Sequence, residues 1–244
     1  MRGTCLVGLA LLLLVAAGPR TAVARPTREA THPWVAEQAT AAPDLSEVVQ
    51  VQTARPVLAL TFDAGGELGA TMTTLDELRQ HGVHATFFVS GRFAEQYPEA
   101  VQQMVADGHE LANHSYSHPD LTRLPDWEVQ DELEHADAIL SRFSGKSTVP
   151  LMRFPYGSRD ARTQRLVQAI GYRSIFWTLD GLDWRPEWTA QAVAARVLRD
   201  AAAGDVVLDH CATDATAGAL PTILDGLAAR GLQVVTVSDL LAGG

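Results

Sequence analysis

Apolar runs and helical spacings alternate along the chain from Pro56 onward. Residues 57–62 (VLALTF) carry no polar face, the pattern of a strand covered on both sides. Residues 71–80 then set Met72, Leu75 and Leu78 at helical spacing, and Gly82 follows as a stop. The same alternation repeats. Strands are predicted at 83–89, 109–112, 149–153, 172–179, 206–210 and 232–237. Helices are predicted between them at 93–106, 127–143, 161–170, 189–203 and 220–229. The longest shows the clearest period, with Val129, Leu133, Ala136, Ile139 and Leu140 on one face. Seven strands alternating with helices predict a parallel α/β architecture. An open doubly wound sheet and a closed barrel both fit this pattern. The chain contains no internal repeat.

Before Pro56 the pattern lapses. Residues 25–54 carry Pro26, Pro33 and Pro43 among Ala, Thr and scattered charge, which reads as a linker or N-terminal arm. Within it, residues 47–51 have the makings of one short strand. The first 24 residues read as a secretory signal. Arg2 is followed by an apolar run at 6–17, too short for a comfortable membrane span, and Ala22-Val23-Ala24 offers a small-residue cleavage site. An uncleaved N-terminal anchor is the alternative. With cleavage after Ala24 the protein is secreted, periplasmic or cell-wall associated, and the domain proper is expected at 55–244.

Composition narrows the partners. The 244 residues are 47% hydrophobic and 20% charged, enough apolar material for a sizeable core. The net charge is −10, and losing Arg2 and Arg20 with the leader takes it to −12. That balance argues against nucleic acid and against anionic membrane surfaces. Of the two cysteines, Cys5 lies in the leader, so Cys211 has no intramolecular disulfide partner and no cysteine-based zinc site is possible.

In parallel α/β folds the chemistry sits at the carboxyl ends of the strands. Five predicted strand ends carry polar residues there. Asp63 follows the first, His114 and His118 the third, Arg153 ends the fourth, Asp180 and Asp183 follow the fifth, and His210 ends the sixth. Two histidines four residues apart can reach one divalent ion, although a pair of surface histidines at a turn has the same spacing. Asp63 can serve as a base or a metal ligand, or cap a helix. A guanidinium buried at Arg153 needs a carboxylate, for which Asp63 is the candidate. His210 can be a general acid, a third ligand or a core histidine. Asp183 near it would fix its tautomer. Trp184 can wall a pocket or belong to the core. His81, His84, His109 and His135 lie within or beside regular elements and read as structural.

Five ordered motifs together resemble the polysaccharide deacetylase family, that is, the NodB-like domain of carbohydrate esterase family 4. They are Thr61-Phe62-Asp63-Ala64-Gly65, His114-Ser115-Tyr116-Ser117-His118, Arg153-Phe154-Pro155-Tyr156, Asp183-Trp184 and Leu208-Asp209-His210. The resemblance runs from about Pro56 to Leu241. It implies a distorted (β/α) barrel of about seven parallel strands. It implies a divalent ion, zinc first, on His114 and His118, with Asp63 as base, His210 as acid, Asp183 orienting His210, and Arg153 holding Asp63 ionised. The backbone N–H of Tyr156 would face the oxyanion, and Trp184 and Leu208 would line the acetyl pocket. The implied activity is hydrolysis of acetamido groups on a cell-wall or chitin-like glycan, peptidoglycan N-acetylglucosamine foremost. O-acetyl esterase activity on xylan or peptidoglycan is the enzymatic alternative.

The first motif departs from the family at one position. Where a second aspartate normally completes the metal triad, this chain has Ala64. Water or Asp63 can complete the shell, an acid such as Glu67 can substitute, or the protein binds glycan without metal and without turnover. The retained base and acid favour an active hydrolase. Cys211 is a second departure, standing where the family often has aspartate.

Overall fold

The computed structural model describes residues 44–243, so the leader and the first part of the arm lie outside the described residues. Eight short strands form one curled, wholly parallel sheet, an incomplete barrel. They are β1 (Val57–Ala64), β2 (Thr86–Val89), β3 (Glu110–Asn113), β4 (Leu151–Met152), β5 (Arg173–Ser174), β6 (Leu179–Asp180), β7 (Val206–His210) and β8 (Gln233–Val235). Seven run in the order β5-β4-β3-β2-β1-β7-β6, and β8 pairs with the first half of β1.

β1 is central because every one of its eight residues is buried. Successive side chains point to opposite faces. Leu58, Leu60, Phe62 and Ala64 join the outer core beneath the helices, with Leu75, Phe93, Met104, Val207 and Leu224. Val57 and Ala59 face the barrel interior, with Phe88, Ala112, Leu151, Ile175 and Val206. Asp63 shares the inward parity and is the last inward residue of the strand. In the ladder with β7 it stands beside His210.

The helices are α1 (Thr71–Gln80), α2 (Gly91–Gln96), α3 (Pro98–Ala106), α4 (Asp126–Ser144), α5 (Ala161–Ala169), α6 (Ala190–Asp200), α7 (Asp214–Ala229) and α8 (Val237–Leu241). The single helix expected at 93–106 is two. Pro98 disfavours helical geometry at the residue before it, and Tyr97 sits at φ −131°, ψ 58°. α4 ends where expected, because Gly145 takes the left-handed conformation at φ 72°. α7 starts six residues earlier than its apolar pattern, since the Thr213 side chain caps it by accepting from the Thr216 N–H. The strand expected at 232–237 stops at Val235, and Thr236 caps α8.

The largest departure is the fifth strand. Residues 172–179 form two strands, β5 and β6, at opposite edges of the sheet. The chain between them leaves the ladder, and other groups satisfy its backbone. The Val48 N–H donates to the Ser174 carbonyl at 2.8 Å, and the Phe176 N–H donates to the Val48 carbonyl at 2.7 Å. Val51 donates to the Gly204 carbonyl at 2.9 Å. The arm therefore lies along the open side of the barrel. The carbonyls of Ile175 and Phe176 accept from Arg153 Nε at 3.0 Å and Nη2 at 3.2 Å. A side chain that is 1% exposed thus takes the place of a strand partner.

Arg153→Met is expected to cost about 3–5 kcal/mol of unfolding free energy, since it leaves Asp63 as an unpaired buried charge and orphans two carbonyls. Urea unfolding of the two proteins measures this.

Candidate active site

The loops beyond the carboxyl ends of the strands enclose a cavity of about 690 Å³. Asp63, Gly65, Gly66, Ser117, His118, Tyr156, Gly157, Trp177, Asp180, Trp184, Leu208 and His210 line it. Arg153, Asp183 and His114 stand behind this wall, each buried. All nine residues singled out from the sequence therefore gather at one end of the barrel.

Asp63 is the floor. Its Oδ1 accepts from Arg153 Nη1 at 2.7 Å, and its Oδ2 lies 3.4 Å from His114 Nε2. Burial alone would raise its pKa. The Arg153 guanidinium, helped by His210, outweighs burial and holds the carboxyl below its ordinary value. Asp63 is thus an ionised base in a nearly dry site.

The two histidines ride on a strained loop after β3. Ser115 and His118 both sit in the left-handed region, at φ 63° and 59°. Such conformations persist only when the surroundings over-determine them. Here Asn113 Oδ1 accepts from the Ser115 N–H at 2.9 Å, and Ser115 Oγ accepts from the His118 N–H at 3.1 Å. Glu132 on α4 accepts from the N–H groups of Tyr116 and Ser117 at 2.9 and 2.7 Å. A side chain at position 65 would strike the His118 ring, with a Cβ 2.5 Å from Cδ2, so only glycine lets that loop approach. Of the other two left-handed non-glycine residues among the described residues, Tyr156 lines the cavity and Leu182 precedes the buried Asp183.

His114 Nδ1 donates to the Arg153 carbonyl at 2.9 Å, which leaves the Nε2 lone pair facing His118 Nε2, 3.1 Å away. Burial lowers both pKa values. That of His118 is pushed down to about 4, by burial first and by His114 second. Two neutral imidazoles with converging Nε2 atoms suit a divalent ion in chemistry and orientation. They supply one ligand fewer than the resemblance calls for. Ala64 brings only a methyl group, and Glu67 is exposed and does not line the cavity. Among the described residues no group of three His, Cys, Asp or Glu side chains is arranged to hold an ion.

Opposite Asp63 stands His210. Its Nδ1 donates to Asp183 Oδ1 at 2.9 Å, and its backbone N–H donates to Asp183 Oδ2 at 2.8 Å. Thr213 and Thr216 hydroxyls also donate to Oδ2, at 2.8 and 2.7 Å. Burial would lower the His210 pKa. The hydrogen bond and charge of Asp183, with Asp63 and Asp180 behind it, reverse that and raise it. His210 therefore keeps its proton further into the neutral range than a free histidine, with Nε2 left for the cavity.

The four histidines read as structural stay outside the cavity lining. His109 is buried and its Nδ1 accepts from the Ala85 N–H at 3.1 Å, while His135 stacks on Tyr116. Cys211 is buried behind Asp63. Burial pushes its thiol up to about 12, which makes it inert packing. Sequence reasoning assigned no role to Trp177 and Asp180. The apolar pattern sets Trp177 inside a continuous strand, whereas it lies in the break between β5 and β6 and lines the cavity. Asp180 accepts from the Leu182 N–H at 2.8 Å and from the Trp184 indole at 3.4 Å, and so carries the Trp184 wall.

Asp209 was also missed. It points outward between inward Leu208 and His210, and in a helix-covered sheet outward means buried. Neither carboxyl oxygen has a hydrogen-bond partner among the described residues. Burial, then Asp183 and Asp180, pushes its pKa well above the carboxylate range.

Comparison with known proteins places this geometry. The sequence profile of the family described as polysaccharide deacetylase matches residues 50–175. The chain belongs to the polysaccharide deacetylase family. A peptidoglycan-N-acetylglucosamine deacetylase of Bacillus cereus is 32% identical over 187 residues, covering 75% of this chain and 67% of that protein. The crystal structure of the Bc1960 peptidoglycan N-acetylglucosamine deacetylase superposes with a TM-score of 0.75 at 29% identity, covering 82% of this deacetylase-family chain and 94% of that one. BA3943 of Bacillus anthracis, a family 4 pseudoenzyme, superposes with a TM-score of 0.76 at 26% identity, covering 82% and 70%. A mutant of BA3943 with restored enzymatic activity superposes equally well, at 27% identity.

Asp209 gives this family member a pH-dependent liability. Below about pH 4 it is protonated in both folded and unfolded states. As pH rises, the unfolded chain releases the proton and the folded one does not, so stability falls toward neutral pH. Asp209→Asn removes that loss. Its Tm is expected to exceed wild type by about 3 °C at pH 7.5 and to match it near pH 4, by thermal melts at both values.

Proposed function

We propose that this protein is an exported hydrolase that removes acetyl groups from the amino sugars of a peptidoglycan-type glycan, using a divalent ion, zinc, on His114 and His118. One observation carries the reading. Across a single cavity, a carboxylate kept ionised by a buried guanidinium faces an imidazole kept protonated by a buried carboxylate. Groups tuned apart in this way divide the labour of base and acid.

The chemistry follows from the chain's own atoms. His114 and His118 would hold a divalent ion through their Nε2 atoms, and the chemistry it would supply there is Lewis acidity toward the acetyl carbonyl and the attacking water. Asp63 takes the proton of the attacking water. The backbone N–H of Tyr156 stabilises the carbonyl oxygen as it gains charge. His210 Nε2 donates its proton to the departing nitrogen, and acetate and a free amine result. Trp184 and Leu208 bound the acetyl methyl. The named activity of the Bacillus cereus relative supports the glycan class. Export rests on the leader in the sequence, and no helix among the described residues is long and apolar enough to cross a membrane.

Ala64 favours a second reading, a glycan-binding protein without turnover. The pseudoenzyme among the structural neighbours shows that this architecture also occurs without activity. Acetate release from N-acetylglucosamine polymers by residues 25–244, before and after chelation, separates the readings. The hydrolase is expected to hold zinc, to lose activity to chelator and to regain it with zinc. Silence with zinc, cobalt and nickel overturns it. Ala64 ends β1 and is followed by Gly65, which abuts the His118 ring, and the resemblance puts a metal-ligand carboxylate at this position. Ala64→Asp is expected to raise zinc affinity at least about tenfold, read by calorimetry.

The pH profile checks the acid. Because the His210 pKa is raised, kcat/KM should hold through the ordinary histidine range near about 6.5 and fall only above it. Asp183→Asn removes the cause of the shift and should move that alkaline fall to lower pH.

A further inference from the structure

The loop that carries Tyr156 is held from outside the cavity by a residue of the N-terminal arm. Arg159 follows that loop. Its Nε donates to Glu47 Oε2 at 2.6 Å and its Nη2 to Glu47 Oε1 at 3.1 Å, a two-point pairing across 112 residues of sequence. Its Nη1 donates to the Gly157 carbonyl at 3.1 Å. Its guanidinium carbon lies 3.5 Å from the centroid of the Phe176 ring, and Phe176 stacks on Trp177 at 3.8 Å. Glu47 is fixed in turn by the Ser174 hydroxyl at 2.9 Å and by Gln164 Nε2 at 3.3 Å.

Two of the Arg159 contacts lead to walls of the cavity, since Gly157 lines it and Phe176 stacks on Trp177, which also lines it. Tyr156 sits in the left-handed region at φ 59° and ψ 7°, a strained setting for a non-glycine residue that needs external support. Gly157, also left-handed, packs so closely on Trp177 that a Cβ would lie 2.6 Å from the indole. Loop and wall are one packed unit, and Arg159 touches both. The Glu47 and Arg159 side chains are 18% and 23% exposed, so their bidentate contact is shielded more than a surface ion pair.

We propose that Glu47 and Arg159 are positioning residues that fix the Tyr156 backbone and the Trp177 wall, which makes the arm from Glu47 onward a working part of the site. The catalytic half of this statement rests on the role given to the Tyr156 N–H. The positional half does not.

The test uses Glu47→Gln, which keeps size and removes charge, and Arg159→Lys, which keeps charge and removes the fork. Amide hydrogen exchange is read at Gly157 and Ser158, whose N–H groups donate to the Phe154 and Pro155 carbonyls at 3.0 Å each. In both variants their exchange should accelerate at least about tenfold while β2 and β3 keep wild-type rates. Glu47→Asp, which keeps the carboxylate, should return to within about threefold of wild type. On an active wild type, kcat should fall about tenfold with zinc affinity unchanged. Unchanged exchange at Gly157 and Ser158 overturns the proposal, and so does acceleration spread evenly over the sheet, the mark of general destabilisation. An inactive wild type sinks the hydrolase reading alone, and the exchange data still decide whether the pair positions the loop.

Discussion

The buried guanidinium of Arg153 is the interaction on which the rest depends. It donates to Asp63 and to two backbone carbonyls where the barrel wall leaves the ladder. Each task alone would strand a polar group. A buried arginine without a carboxylate is costly, a buried aspartate without a cation would take up a proton, and a broken strand would leave its carbonyls bare. Joined in one place, the three satisfy one another. The broken wall and the ionised base are one structural fact.

The other half of the site follows the same logic with opposite sign. Asp183 is saturated by His210 twice and by two threonine hydroxyls, and its buried charge holds a proton on the imidazole. Low dielectric strengthens both pairings, so neighbouring strands in one ladder present groups of opposed proton affinity. Left-handed non-glycine residues border this end of the barrel, where loops are forced into shapes that hold side chains in place.

Much of this was legible in the sequence because it is local. β1 and β7 read as strands since apolar runs of that length have no other use in such a chain. The strand-end rule then collected Asp63, the histidine pair, Arg153, Asp183 and His210 without knowledge of their contacts. What was hidden depends on distant partners. The fifth strand carries no breaker, and it breaks because Arg153 and Val48 claim its backbone groups. The first turn and a half of α7 shows no apolar period, and its helix rests on the Thr213 cap and on packing. Asp209 had a signal that went unused. Between two inward residues of a strand covered by helices, an acid must be buried.

Ala64 has a consequence of another kind. Asp63 leans on Arg153, and the histidines lean on their own loop, but the side chain at position 64 takes part in neither pairing. A methyl group there disturbs neither pairing and fits the apolar layer it occupies. The fold around Asp63 and the histidines thus stands without a polar side chain at position 64. Any larger or charged side chain at this position has to be accommodated in that buried layer at the very end of the strand.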